Sequence, residues 1–104
     1  MTDVMREVFA IIEARKSQDP DQSYVASLHH KGLNKILEKV GEEAVESVIA
    51  AKDGDKTEVI KEVADLWFHT MVMLSHLELD QSQIQAELSS RLGTSGLVEK
   101  ANRK

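Results

Sequence analysis

The chain has 104 residues, 41% hydrophobic and 30% charged, with 13 basic against 18 acidic side chains and a formal charge of −5. That length predicts one domain over residues 1–104 whose core is too small to be comfortable alone, so a homodimer or higher homo-oligomer is expected. The charge disfavours nucleic acid as a partner, and the absence of cysteine removes disulfides, thiolate zinc sites and thiol nucleophiles, leaving oxygen or imidazole for any metal. No run approaches the roughly 18 apolar residues of a membrane span, and Asp3, Arg6 and Glu7 interrupt the N-terminus where an apolar leader would lie. A cytoplasmic chain with no membrane partner is expected.

Few aromatics, one proline and apolar residues recurring at three and four predict an all-α class, a four- to five-helix bundle built on a central antiparallel helix hairpin. Asp3 caps a first helix that turns Val4, Val8, Ile11 and Ile12 inward and ends near Lys16, before the breaker Ser17-Gln18-Asp19-Pro20-Asp21. Residues 17–30 read as a connection with a short turn near Tyr24 to Leu28. A long helix follows from about Leu33 to Lys52, with Leu33, Ile36, Leu37, Val40, Ala44 and Val48 on its apolar face. Asp53-Gly54 stops it, and Asp55 with Glu58 forms a capping box for the next helix, about Lys56 to Leu79. Asp80 with Gln83 caps a last helix through Leu92, which Gly93 ends.

The carboxylates are distributed unevenly around these helices. With Val59 at zero and about 100° per residue, Glu58, Glu62, Asp65, His69 and His76 fall in a slot from roughly 240° to 300°, bounded by apolar residues on both sides. Glu62 and Asp65 are therefore projected from a mostly apolar helix rather than from a broad solvated face. Glu43 and Glu46 make a similar pair on the preceding helix, with Glu42 one residue round. In a hairpin turning at Asp53 to Asp55, these two pairs come level. Two full charges about 5 Å apart cost roughly 3 kcal/mol at an effective dielectric of 20, so the group must be protonated or matched by a cation. Carboxylates suit hard cations such as Mg2+, and a bound cation lets an acidic protein hold a polyphosphate.

Glu42-Glu43-x-x-Glu46, followed after fifteen residues by Glu62-x-x-Asp65, resembles the signature of the all-α nucleoside triphosphate pyrophosphohydrolases, the MazG-like superfamily. Within it the chain resembles the phosphoribosyl-ATP pyrophosphohydrolases of histidine biosynthesis. That resemblance rests further on Ser23-Tyr24-x-x-Ser27-Leu28, Lys31-Gly32-x-x-Lys35-Ile36, Lys39-Val40-Gly41, Glu62-Val63-Ala64-Asp65-Leu66 with His69, and Arg91-x-Gly93-x-Ser95-Gly96-Leu97-x-Glu99-Lys100. His29-His30 departs from the expected smaller or less basic pair. The phosphoribosyl-AMP cyclohydrolase domain often fused to this activity is not expected here.

The resemblance implies Mg2+-dependent hydrolysis of N1-(5-phosphoribosyl)-ATP to phosphoribosyl-AMP and pyrophosphate. By motif position it implies Glu43, Glu46, Glu62 and Asp65 as metal ligands and Glu42 as the catalytic residue that orients or deprotonates water. Lys31, Lys35, Lys39, Ser95, Gly96 and Lys100 are the expected substrate contacts. His69, one turn after Asp65, is read either as supporting a ligand from behind or as a core or interface histidine, while His76 reads as interfacial and Trp67, Met71 and Met73 as core or helix-packing residues. The rival readings are a house-cleaning pyrophosphohydrolase of free nucleoside triphosphates and a non-catalytic helical module whose acidic stripe docks a basic partner.

Overall fold

The structure, a computed structural model, describes residues 3–92. Within them lie α1 (Val4–Arg15), α2 (Tyr24–Lys31), α3 (Leu33–Asp53), α4 (Lys56–His76) and α5 (Gln81–Ser90). The all-α class and the central hairpin of two long helices are as expected. α1 packs on α4 and touches α5, while α2 packs on α3.

The helix ends follow local chemistry. The Asp3 carboxylate accepts from the Met5 and Arg6 amides at the start of α1, and the Ser23 hydroxyl accepts from Ala26 N–H at the start of α2. Gly32 separates α2 from α3 at φ 100°, a backbone region that side-chain-bearing residues rarely enter. Gly54 ends α3 in the left-handed conformation, and its N–H reaches the Ala50 and Ala51 carbonyls. The Asp55 carboxylate accepts from Glu58 N–H, which supplies half of the expected box. The Asp80 box is complete: its carboxylate caps the first turn of α5, and Gln83 Oε1 accepts from Asp80 N–H at 2.8 Å.

Phe9, Ile12, Val25, Leu28, Ile36, Met71, Val72 and Leu74 form the core, with Met5, Val8, Phe68 and Met73 against it. Several expectations need correction here. Residues 24–31 are a full helix rather than a short turn, because the Ser23 cap and the Gly32 break bracket eight residues whose Val25, Ala26 and Leu28 are buried. α4 ends at His76 and α5 at Ser90, each slightly earlier than expected. α1 buries Phe9 and Ile12 and leaves Val4 and Ile11 exposed. On α3, Leu37 and Val48 are exposed, while Ile36, Glu43 and Ala50 are buried. Trp67 is 54% exposed rather than packed. The inward faces of α3 and α4 are thus rotated toward the acidic residues, and part of each apolar stripe is left uncovered.

Candidate metal centre and active site

Pairing α3 with α4 places Glu43 opposite Glu62 and Asp65, and one carboxylate oxygen from each lies within 4.8 Å of the others. Glu43 is 7% exposed, Glu62 half-buried and Asp65 exposed, so the group opens to solvent on the Asp65 side. Glu43 Oε2 and Glu62 Oε2 are buried with no hydrogen-bond partner. A buried carboxylate oxygen with nothing to accept from is costly, and two facing each other compound the cost. The neighbouring carboxylates of Glu46 and then Glu43, followed by burial and Glu58, push the Glu62 carboxyl up to about 8. Glu46 thus stands near Glu62, while the carboxylates whose oxygens converge are those of Glu43, Glu62 and Asp65.

Glu42 is turned elsewhere. Its Oε2 lies 3.1 Å from Lys39 Nζ, and that hydrogen bond holds its carboxyl below the usual range. Lys39 Nζ also stands 3.8 Å from Glu43 Oε1, so it borders the acidic group and screens one edge. Lys35 pairs with Glu38 at 3.5 Å. Lys31 is exposed at the end of α2, without an ion pair among the described residues. Ser95, Gly96 and Lys100 lie outside the described residues.

Behind Asp65, His69 is buried at 5% exposure. Its Nδ1 donates to the Asp65 backbone carbonyl at 2.7 Å, and its Nε2 meets the Tyr24 hydroxyl at 2.8 Å. His69 thus hydrogen-bonds the backbone of Asp65, one turn back along α4, and not its carboxylate. Tyr24 was missed by sequence reasoning, since its partner lies on another helix and only the Ser-Tyr segment marked it. His76 is turned away from the group, its Nδ1 2.9 Å from His29 Nδ1.

The donor set fits a hard divalent cation: every member is a carboxylate, and the two orphaned oxygens are positions a cation would satisfy. The same cation would draw an anionic substrate to an otherwise acidic surface. Among the described residues, no helix is long and apolar enough to cross a membrane. A family model for phosphoribosyl-ATP pyrophosphohydrolase matches residues 5–91, from the first turn of α1 to the end of α5, with every member of the acidic group inside the match. The chain belongs to the phosphoribosyl-ATP pyrophosphohydrolase family, hydrolases acting on a phosphoanhydride in histidine biosynthesis.

Proposed function

We propose that this chain hydrolyses N1-(5-phosphoribosyl)-ATP to phosphoribosyl-AMP and pyrophosphate with Mg2+, the second step of L-histidine biosynthesis, as a single cytoplasmic domain that works in a homo-oligomer. The observation that carries this reading is the convergence of Glu43, Glu62 and Asp65, two of whose buried oxygens lack a partner. Glu43, Glu46, Glu62 and Asp65 would hold the ion, which when bound supplies neutralisation of the triphosphate and of charge on the departing pyrophosphate.

The reaction adds water across the α–β phosphoanhydride. A new P–O bond forms to the water oxygen, the bond to pyrophosphate breaks, and a carboxylate takes the water proton. Glu42 has that role by family position, and taking it requires the carboxylate to leave Lys39. The same movement frees the Lys39 ammonium to meet a phosphate oxygen. Lys35 and Lys31 extend the positive edge along the start of α3 and the end of α2, and Ser95, Gly96 and Lys100 are substrate contacts by family position alone.

Pyrophosphate release from phosphoribosyl-ATP and from a panel of deoxynucleoside triphosphates, with and without Mg2+, tests the assignment. Phosphoribosyl-ATP is expected to be strongly preferred, and equal or better turnover of the panel would overturn it. Glu46→Gln and Asp65→Asn are expected to lose activity by about 100-fold or more and to weaken Mg2+ binding, whereas Glu42→Gln loses rate with the ion retained. Wild-type rates in all three variants would remove the site.

A further inference from the structure

Tyr24 is the only tyrosine in the chain, and through His69 it reaches the backbone of Asp65, with its hydroxyl already committed. The Asp65 carbonyl can only accept, so His69 Nδ1 carries a hydrogen. In the tautomer that carries this hydrogen on Nδ1, Nε2 holds a lone pair, and the Tyr24 hydroxyl donates to it across 2.8 Å. His69 is buried and cannot easily turn. The Tyr24 ring is held as well, edge-on to His69 at 5.7 Å and stacked on Phe68 at 6.4 Å. Yet Tyr24 is 52% exposed. The charged side chains near it are those of Lys39, Glu43, Lys35 and Asp65.

A phenol fixed in this way offers the site only the lone pairs of its oxygen. It repels a phosphate oxygen, which is also an acceptor, and it suits a ligand group that brings a hydrogen. A nucleotide bound through its phosphates to the acidic group and the lysines carries such groups on its pentose. We propose that Tyr24, positioned by His69, accepts a hydrogen bond from a pentose hydroxyl of the nucleotide, and so selects for the sugar rather than for the phosphates. The inference rests on the nucleotide reading given above and deepens it.

The test separates sugar from phosphate recognition. Binding of ATP, 2′,3′-dideoxy-ATP and inorganic tripolyphosphate is measured in Mg2+ for the wild-type chain and for Tyr24→Phe, which keeps the ring over Phe68 and removes only the oxygen. Tyr24→Phe is expected to weaken ATP about five- to tenfold, the loss of one hydrogen bond, and to leave the dideoxynucleotide and tripolyphosphate within about twofold. With tyrosine labelled at Cζ, the single resonance is expected to move with ATP and to stay in place with tripolyphosphate. Adding His69→Gln to Tyr24→Phe is expected to cost no further discrimination between ATP and its dideoxy form, because His69 acts through the phenol.

Equal losses for all three ligands, unchanged ATP binding in Tyr24→Phe, or no ATP binding by the wild type would overturn the proposal. In turnover, Tyr24→Phe is expected to raise KM for phosphoribosyl-ATP with kcat little changed. A wild-type chain that binds ATP with the predicted sugar preference but does not hydrolyse phosphoribosyl-ATP would sink the proposed reaction and leave the Tyr24 contact standing.

Discussion

Glu62 faces Glu43 and Asp65, and the nearby carboxylates of Glu46 and Glu43, with burial and Glu58 behind them, raise its carboxyl to about 8. Its ordinary value is 4.5, so between these values the folded chain binds a proton that the unfolded chain has released. Stability without metal should therefore fall as pH rises from 4.5 to about 8. A cation needs the ionised form, so the stabilisation it brings should grow across the same window. Thermal unfolding in chelator and in Mg2+ at several pH values checks both trends, and Glu62→Gln is expected to flatten them. An Mg2+ increment independent of pH would contradict this account. This residue pattern was largely legible beforehand, because the pairs Glu43/Glu46 and Glu62/Asp65 follow from helical spacing and from equal distance to the Gly54 turn. Glu42 was not, since its letter is the same as its neighbour's and only the approach of Lys39 decides where it points. Tyr24 was not legible either, because its bond to His69 joins helices 45 positions apart.

At the scale of elements, α2 is fastened at both ends to α4. Tyr24 holds its N-terminal end to His69, and His29 meets His76 near its C-terminal end, Nδ1 to Nδ1 at 2.9 Å with the rings inclined by 21° and their centroids 5.1 Å apart. The centroid separation exceeds the nitrogen separation by about two ring radii, so the imidazoles meet head-on and share one hydrogen. α1 adds a third fastening, since Lys16 Nζ donates to the Ser75 carbonyl at 2.6 Å. Burial, then His76 and Lys16, lower the His29 pKa from 6.5, against the opposing pull of Glu13. The unfolded chain then takes up a proton at higher pH than the folded one, so this clasp contributes fully above 6.5 and weakens as pH falls below it. His29→Gln is expected to lose less stability than wild type between neutral pH and pH about 5, measured as the change in midpoint of urea unfolding. Parallel losses in the two proteins would show that His29 does not carry this pH dependence. α2 itself was hard to see in the sequence: eight residues give too few turns for a periodicity, and only the Ser23 cap and Gly32 mark its ends.

For the whole molecule, many of the exposed apolar residues lie on α3, α4 and α5. Val45, Val48 and Ile49 are exposed on α3, Ile60 and Trp67 on α4, and Ile84 and Leu88 on α5. Trp67, Ile84 and Leu88 also line a groove floored by Met5, Met71 and Leu74. Helical periodicity put Val48 and Trp67 on apolar faces, but it cannot tell a stripe that meets its own core from one that meets another chain. That is why Val48 and Trp67 were misplaced inward. A short chain with this much uncovered apolar surface is expected to associate, and a stable pair would need to bury about 1,200 Å² or more. Sedimentation at micromolar concentration is expected to give a dimer or larger species of the 11.6 kDa chain. Trp67→Glu and Ile60→Glu are expected to shift it toward monomer, because each would place a charge in the contact without a partner. Trp67 is the only tryptophan, so dilution of the wild type should move its emission to longer wavelength as the contact opens. A wild-type chain that sediments as a monomer, with emission unchanged on dilution, would mean that these apolar stretches face water and that α3 and α4 hold the acidic group without a second copy.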